Sequence, residues 1–135
     1  MSGTIYVLRH ITALALGLFF IKIGVDHFLD PVWFEPIVPT VLGHPRFWVY
    51  ASGVVEIALG IGLIIPFTRR KAGGLLAIFL VLLYWANVNM WINDIEIGGV
   101  RLSTGGHIAR AFAQLAMIGM ALWVGRWFFD PKAKV

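Results

Sequence analysis

Residues 11–29 read ITALALGLFFIKIGVDHFL and end on Asp30-Pro31. At 1.5 Å per helical residue this run is about 28 Å long, close to the roughly 30 Å hydrocarbon core of a bilayer. Three more runs of this kind follow: Phe47 to Ile65, stopped by Pro66; Gly73 to Ile92; and Ile108 to Phe129, stopped before Pro131. Only helices and closed barrels satisfy their backbone groups in lipid, and four segments are too few for a barrel. The expected fold is an all-α membrane protein, one four-transmembrane-helix bundle spanning residues 1–135.

Composition agrees with this reading. The chain is 59% hydrophobic and 13% charged, and its mean hydropathy is +0.83. A soluble domain of this length cannot hide so much apolar surface. There is no cysteine, which removes disulfides, thiolate catalysis and iron–sulfur ligation. A net charge of +4 raises the question of nucleic acid, but the basic residues are few and flank apolar runs, so the expected partner is the lipid bilayer and not nucleic acid. Arg9 ahead of an apolar run resembles a signal peptide. No small-residue cleavage site follows, so a retained helix is expected.

Lys and Arg give the orientation. Arg9, Arg69, Arg70, Lys71, Arg126, Lys132 and Lys134 share one side of a four-span chain, against Arg46 and Arg101 on the other. Both termini are therefore expected in the cytoplasm. The first outer loop, Asp30 to Arg46, carries four prolines among Trp33, Phe34, Ile37 and Val38. That is too apolar for a free loop, and it is expected to fold down as a lid at headgroup level. The second, Asn93 to His107, alternates around Gly98-Gly99 and suggests a short β-hairpin.

Polar groups inside the spans are costly and point to function. They are Lys22, Asp26 and His27 in the first run, Glu56 in the second, Asn87 and Asn89 in the third, and Arg110 and Gln114 in the fourth. At 1.5 Å per residue, Lys22 lies roughly 16 Å and Asp26 roughly 22 Å from the cytoplasmic face, with Glu56 about 13 Å from the outer one. All fall in the outer half, and the inner half is almost purely apolar. Lys22 and Asp26 share a face by their spacing, as do Arg110 and Gln114. The expectation is that Lys22, Asp26, Glu56, Asn87, Arg110 and Gln114, with His27 beside them, converge on one charge-balanced ligand-binding or proton-handling pocket. Asn89, facing away from Asn87, is expected to tie helices together. No histidine pair has ligand spacing, so no metal is expected. Gly53, Gly60 and Gly62, with Ala13 and Gly17, suggest close helix packing.

The strings Phe28-Leu29-Asp30-Pro31, Ile37-Val38-Pro39, Ser52-Gly53-Val54-Val55-Glu56 and Ala86-Asn87-Val88-Asn89-Met90 resemble the DoxX family of small four-helix membrane proteins. That resemblance implies a bacterial inner-membrane protein associated with redox systems, such as a thiosulfate:quinone oxidoreductase. It carries over to Glu56, Asn87 and Arg110.

Three functional readings follow. The first is a redox-associated protein that binds a quinone or similar small amphiphile. In it Glu56 and Asp26 handle protons, Lys22 and Arg110 steady anionic oxygens, and Asn87 and Gln114 orient the head group. The second is a non-catalytic accessory subunit of a larger membrane or redox complex. The third is a small transporter, which with so few helices requires a homo-oligomer. No residue is assigned a catalytic role by the pattern.

Overall fold

A computed structural model describes residues 3–127. These residues are helical apart from their connections, and four helices are long and apolar enough to cross a membrane: α1 (Gly3–Leu29), α3 (Pro45–Ile64), α4 (Arg69–Ile92) and α5 (Thr104–Val124). A single turn, α2 (Pro31–Phe34), follows α1. Large apolar side chains such as Leu18, Val54, Leu82 and Phe112 face outward, and surface of this kind needs an apolar covering.

Helices α1 and α3 run side by side in opposite directions at backbone contact. A Cβ added to Gly17 would stand 2.7 Å from the Gly60 carbonyl, and one on Gly60 would stand 2.6 Å from that of Gly17. Seven residues further along, Gly24 and Gly53 repeat the arrangement, at 2.7 and 3.0 Å. Gly17 and Gly60 were expected here; Gly24 completes the second rung. Helices α4 and α5 cross closely at their other end, where Gly73 abuts the Ala121 carbonyl and Gly125.

The buried apolar core collects at one end, from Ala13, Leu16 and Phe20 of α1, Leu63 of α3, Leu76 and Leu80 of α4 and Ala121 and Val124 of α5. Arg9, Arg69 and Arg70 rim this basic end. They are bonded into the fold. Arg69 donates from Nε to the Leu63 carbonyl (2.7 Å) and from Nη2 to that of Ile64 (3.0 Å), closing acceptors that the end of α3 leaves open. Arg9 is buried with its guanidinium over Trp123.

Several boundaries differ from the sequence reading. Arg69, Arg70 and Lys71, expected in a loop, form the first turn of α4, so the connection from α3 spans only residues 65–68. Helix α1 begins at Gly3 instead of Ile11, since nothing in between breaks the helix. Helix α5 begins at Thr104, where Ser103 Oγ accepts from the Gly106 amide at 3.2 Å. It ends at Val124 and not near Phe129. Arg126 takes a left-handed backbone (φ 61°), while its amide bonds to Trp123 and that of Trp127 to Leu122, the pattern of a Schellman stop. Residues 128 and 129 of the expected fourth helix, and the orientation residues Lys132 and Lys134, lie outside the described residues. The expected hairpin at Gly98-Gly99 reduces to one antiparallel bridge, Ile97 to Val100, with both glycines at positive φ.

The glycine contacts make a stability prediction. Gly17→Ala and Gly60→Ala are each expected to destabilise by about 1–3 kcal/mol, the usual cost of forcing atoms into a packed interior. Gly119, whose added Cβ meets nothing within 4 Å, is the control. Thermal unfolding in mild detergent checks this, and a Gly60→Ala protein as stable as Gly119→Ala contradicts it.

Candidate functional site

The α1–α3 seam sets the site. Helical Cβ atoms tilt toward the N-terminus, so in antiparallel neighbours His27 of α1 and Glu56 of α3 lean toward each other. Both are buried, at 6% and 3% exposure. His27 Nδ1 lies 3.1 Å from the Val49 carbonyl, 3.2 Å from Ser52 Oγ and 3.3 Å from Glu56 Oε2. The Ser52 hydroxyl donates to the same Val49 carbonyl at 3.0 Å. A carbonyl can only accept, which assigns the ring hydrogen to Nδ1. Glu56 Oε2 is within ion-pair reach of the ring but off its hydrogen-bond direction, and it is buried with no hydrogen bond. Serine and carboxylate both face Nδ1, whereas a nucleophile relay needs them on opposite ring nitrogens. The trio is not a hydrolase triad.

The first connecting segment covers His27. Phe34 meets the His27 ring edge-on at 4.1 Å, and Trp33 packs on Phe34. Trp33 also lies over Gly98, where any Cβ would collide with the indole. Asn89 of α4 donates to the Ile37 carbonyl at 3.0 Å, so it ties a helix to this cover instead of to another helix. A shallow depression lined by Glu35, His44, Pro45, Arg46 and Phe47 opens elsewhere on the same segment. The polar groups thus lie under a closed cover instead of lining an open pocket.

The expected convergence of six residues is corrected, since they fall into three groups. Glu56 sits with His27 in the α1–α3 seam. Arg110 donates to the Asn87 side chain and to Met90 Sδ (3.3 Å) between α4 and α5, and Gln114 donates to the Leu80 carbonyl at 2.6 Å. Lys22 and Asp26 pair with each other at 2.7 Å, with side chains 74% and 37% exposed. They flank Gly24 at two residues on either side, and each such position lies about 200° around the helix from Gly24. With Gly24 in the seam, both must point away from it. Glu56 therefore has no Lys or Arg partner among the described residues. Ser52, Phe34 and the Val49 carbonyl were missed. Ser52 had a signal, four residues before Glu56 on its face. Trp91 stacks on His107 at 5.3 Å, and Trp85 faces outward. Among the described residues no three His, Asp or Glu side chains form a metal-ligating group.

A family profile described as a domain of unknown function (DUF8561) matches residues 16–125. The chain belongs to the DUF8561 family. That corrects the DoxX resemblance, and the redox system and bacterial inner membrane it implied lose their support with it. The strings that suggested it are short and do general packing work here: Gly53 allows backbone contact and Met90 is fully buried. No curated protein and no solved structure matches this DUF8561 chain.

A buried polar atom without a partner costs about 1–3 kcal/mol. Glu56→Leu is therefore expected to leave stability unchanged or to raise it by about 1 kcal/mol. Gln114→Leu, which strips the Leu80 carbonyl of its donor, is expected to lower it by a similar amount. Denaturant titration of the two variants tests this contrast, and a strongly destabilised Glu56→Leu protein refutes it.

Proposed function

We propose that the chain spans a cytoplasmic membrane four times with both ends inside, and that it binds a small amphiphile with a proton-exchanging oxygen head group, such as a quinone, at His27 and Glu56. The observation that carries this reading is the buried Glu56 carboxyl, whose Oε2 has no hydrogen bond although His27 Nδ1 is 3.3 Å away. A carboxyl kept in that state costs stability, and such costs mark functional sites. A hydroxyl head group entering beside His27 donates the missing bond to the Glu56 carboxylate, and a carbonyl head group accepts it from the protonated carboxyl. Glu56 then takes or returns a proton, and Phe34 and Trp33 offer aromatic faces to a flat ring. The apolar core at the basic end supports a site reached from the far end only. Access requires Phe34 and the Ile37 stretch to swing aside, breaking the Asn89 bond.

The placement of the basic side chains supports the orientation: Arg9, Arg69, Arg70 and Lys71 all belong to the end where α1 begins and α3 stops. Arg110, Asn87 and Gln114 act in this reading as braces between α4 and α5.

A second reading, a non-catalytic accessory subunit, is favoured by how the remaining intramembrane polar groups are used. Gln114 and Asn89 both donate to backbone carbonyls of neighbouring segments, which is what interhelical ties do. A larger partner co-purifying in stoichiometric amount in mild detergent selects this reading.

Photolabelling with an azido-quinone tests the first. Labelling of the wild-type chain is expected to map to α1, α3 or the segment between them, and to fall several-fold in Glu56→Gln and His27→Ala while Lys22→Ala retains it. A folded Glu56→Gln protein labelled like the wild type overturns the assignment.

A further inference from the structure

The outward face of α1 carries a feature that a lipid covering leaves unsatisfied. Ile11, Ala15, Leu18, Lys22, Val25 and Leu29 are all exposed, and they recur at alternating steps of four and three. This is the stripe by which one helix packs along another at a shallow left-handed crossing. Any lipid-facing helix exposes some such stripe. What distinguishes this one is the ion pair on it. Among the described residues, the other acid–base contacts are either buried, as in His27–Glu56, or lie at the far-end connections, as in Arg46–Glu35 and Arg101–Asp94. Of the acid–base pairs among the described residues, Lys22–Asp26 alone projects outward from the body of a long helix.

Their bonding is incomplete. The Lys22 ammonium has three N–H donors and spends one on Asp26 Oδ2 at 2.7 Å, while the carboxylate has a second oxygen to offer. Lys22 stands seven residues, about 10 Å, inside the end of α1, and in the placement proposed above lipid tails offer its two remaining N–H donors no partner.

We propose that this face of α1 packs against the same face of a second copy of the chain, around a two-fold axis along the membrane normal. Each Lys22 then bonds its own Asp26 and that of the second copy, closing a ring of four alternating charges. The occupant follows from symmetry. A partner on this face must present one acid and one base at matching depth and spacing, and a second copy inserted in the same direction does so by construction. Leu18 and Val25 pack above and below the ring, and Ala15 allows close approach. The inference rests on the four-span placement proposed above, not on the ligand reading.

The chain has no cysteine, so single introduced thiols report contacts cleanly. In membrane vesicles treated with copper phenanthroline, Leu18→Cys is expected to give a disulfide-linked product of twice the chain mass. Its yield should exceed several-fold that of Phe112→Cys on the outward face of α5. Adding Lys22→Asp is expected to abolish most of the Leu18→Cys product, and Lys22→Asp together with Asp26→Lys to restore it. Equal yields from Leu18→Cys and Phe112→Cys, a product of another mass, or indifference to Lys22→Asp overturns the pairing. A chain that stays in carbonate-washed membranes without the product overturns the pairing alone. A chain released by carbonate overturns the four-span placement and the pairing together.

Discussion

The bare-backbone contact between α1 and α3 is the constraint on which the rest depends. At Gly17 with Gly60 and Gly24 with Gly53, the carbonyl of one helix occupies the space where a side chain of the other would stand. In the membrane placement proposed above, water-excluding association does little between helices, so dispersion contact between close backbones has to hold them. Two rungs seven residues apart fix the distance between the helices and their register along the axis. The register puts His27 against Val49, Ser52 and Glu56. It also turns Lys22 and Asp26 outward. The buried pair and the exposed pair are thus two results of one geometric choice.

The four apolar runs were legible because hydrocarbon thickness imposes a length that few other structures share. Their ends were less so. Arg69, Arg70 and Lys71 are hydrophilic enough to pass for a loop, yet arginine is a good helix former, and Arg69 reaches back to cap α3. The stop of α5 was hidden because the left-handed residue is Arg126, while the glycine sits one position earlier. For the site, the three- and four-residue spacing rules correctly put Lys22 with Asp26 on one face. They do not say which face looks inward. Gly24 says so once its role in the seam is recognised, and a glycine within an apolar run carries no visible mark of that role. The DoxX-like strings misled for a related reason, since small residues and amides recur wherever membrane helices pack.

The two ends of the bundle use polar chemistry differently. At the basic end, cations close helix carbonyls and lie over indoles, as Arg69 does on α3 and Arg70 on Trp127. Below them the core is hydrocarbon throughout. At the far end polar groups are buried among helices and covered by an aromatic segment, and one carboxylate oxygen is left unbonded.

The seat of Trp33 on Gly98 joins the two far-end connections, which are otherwise separate in the chain. The indole rests where any residue but glycine would place a carbon, and the tight Ile97–Val100 turn holds that glycine in position. The cover over His27 is in effect a latch with its keeper. The first connection carries the bolt and the second the strike plate, so the freedom of one is set by the stiffness of the other.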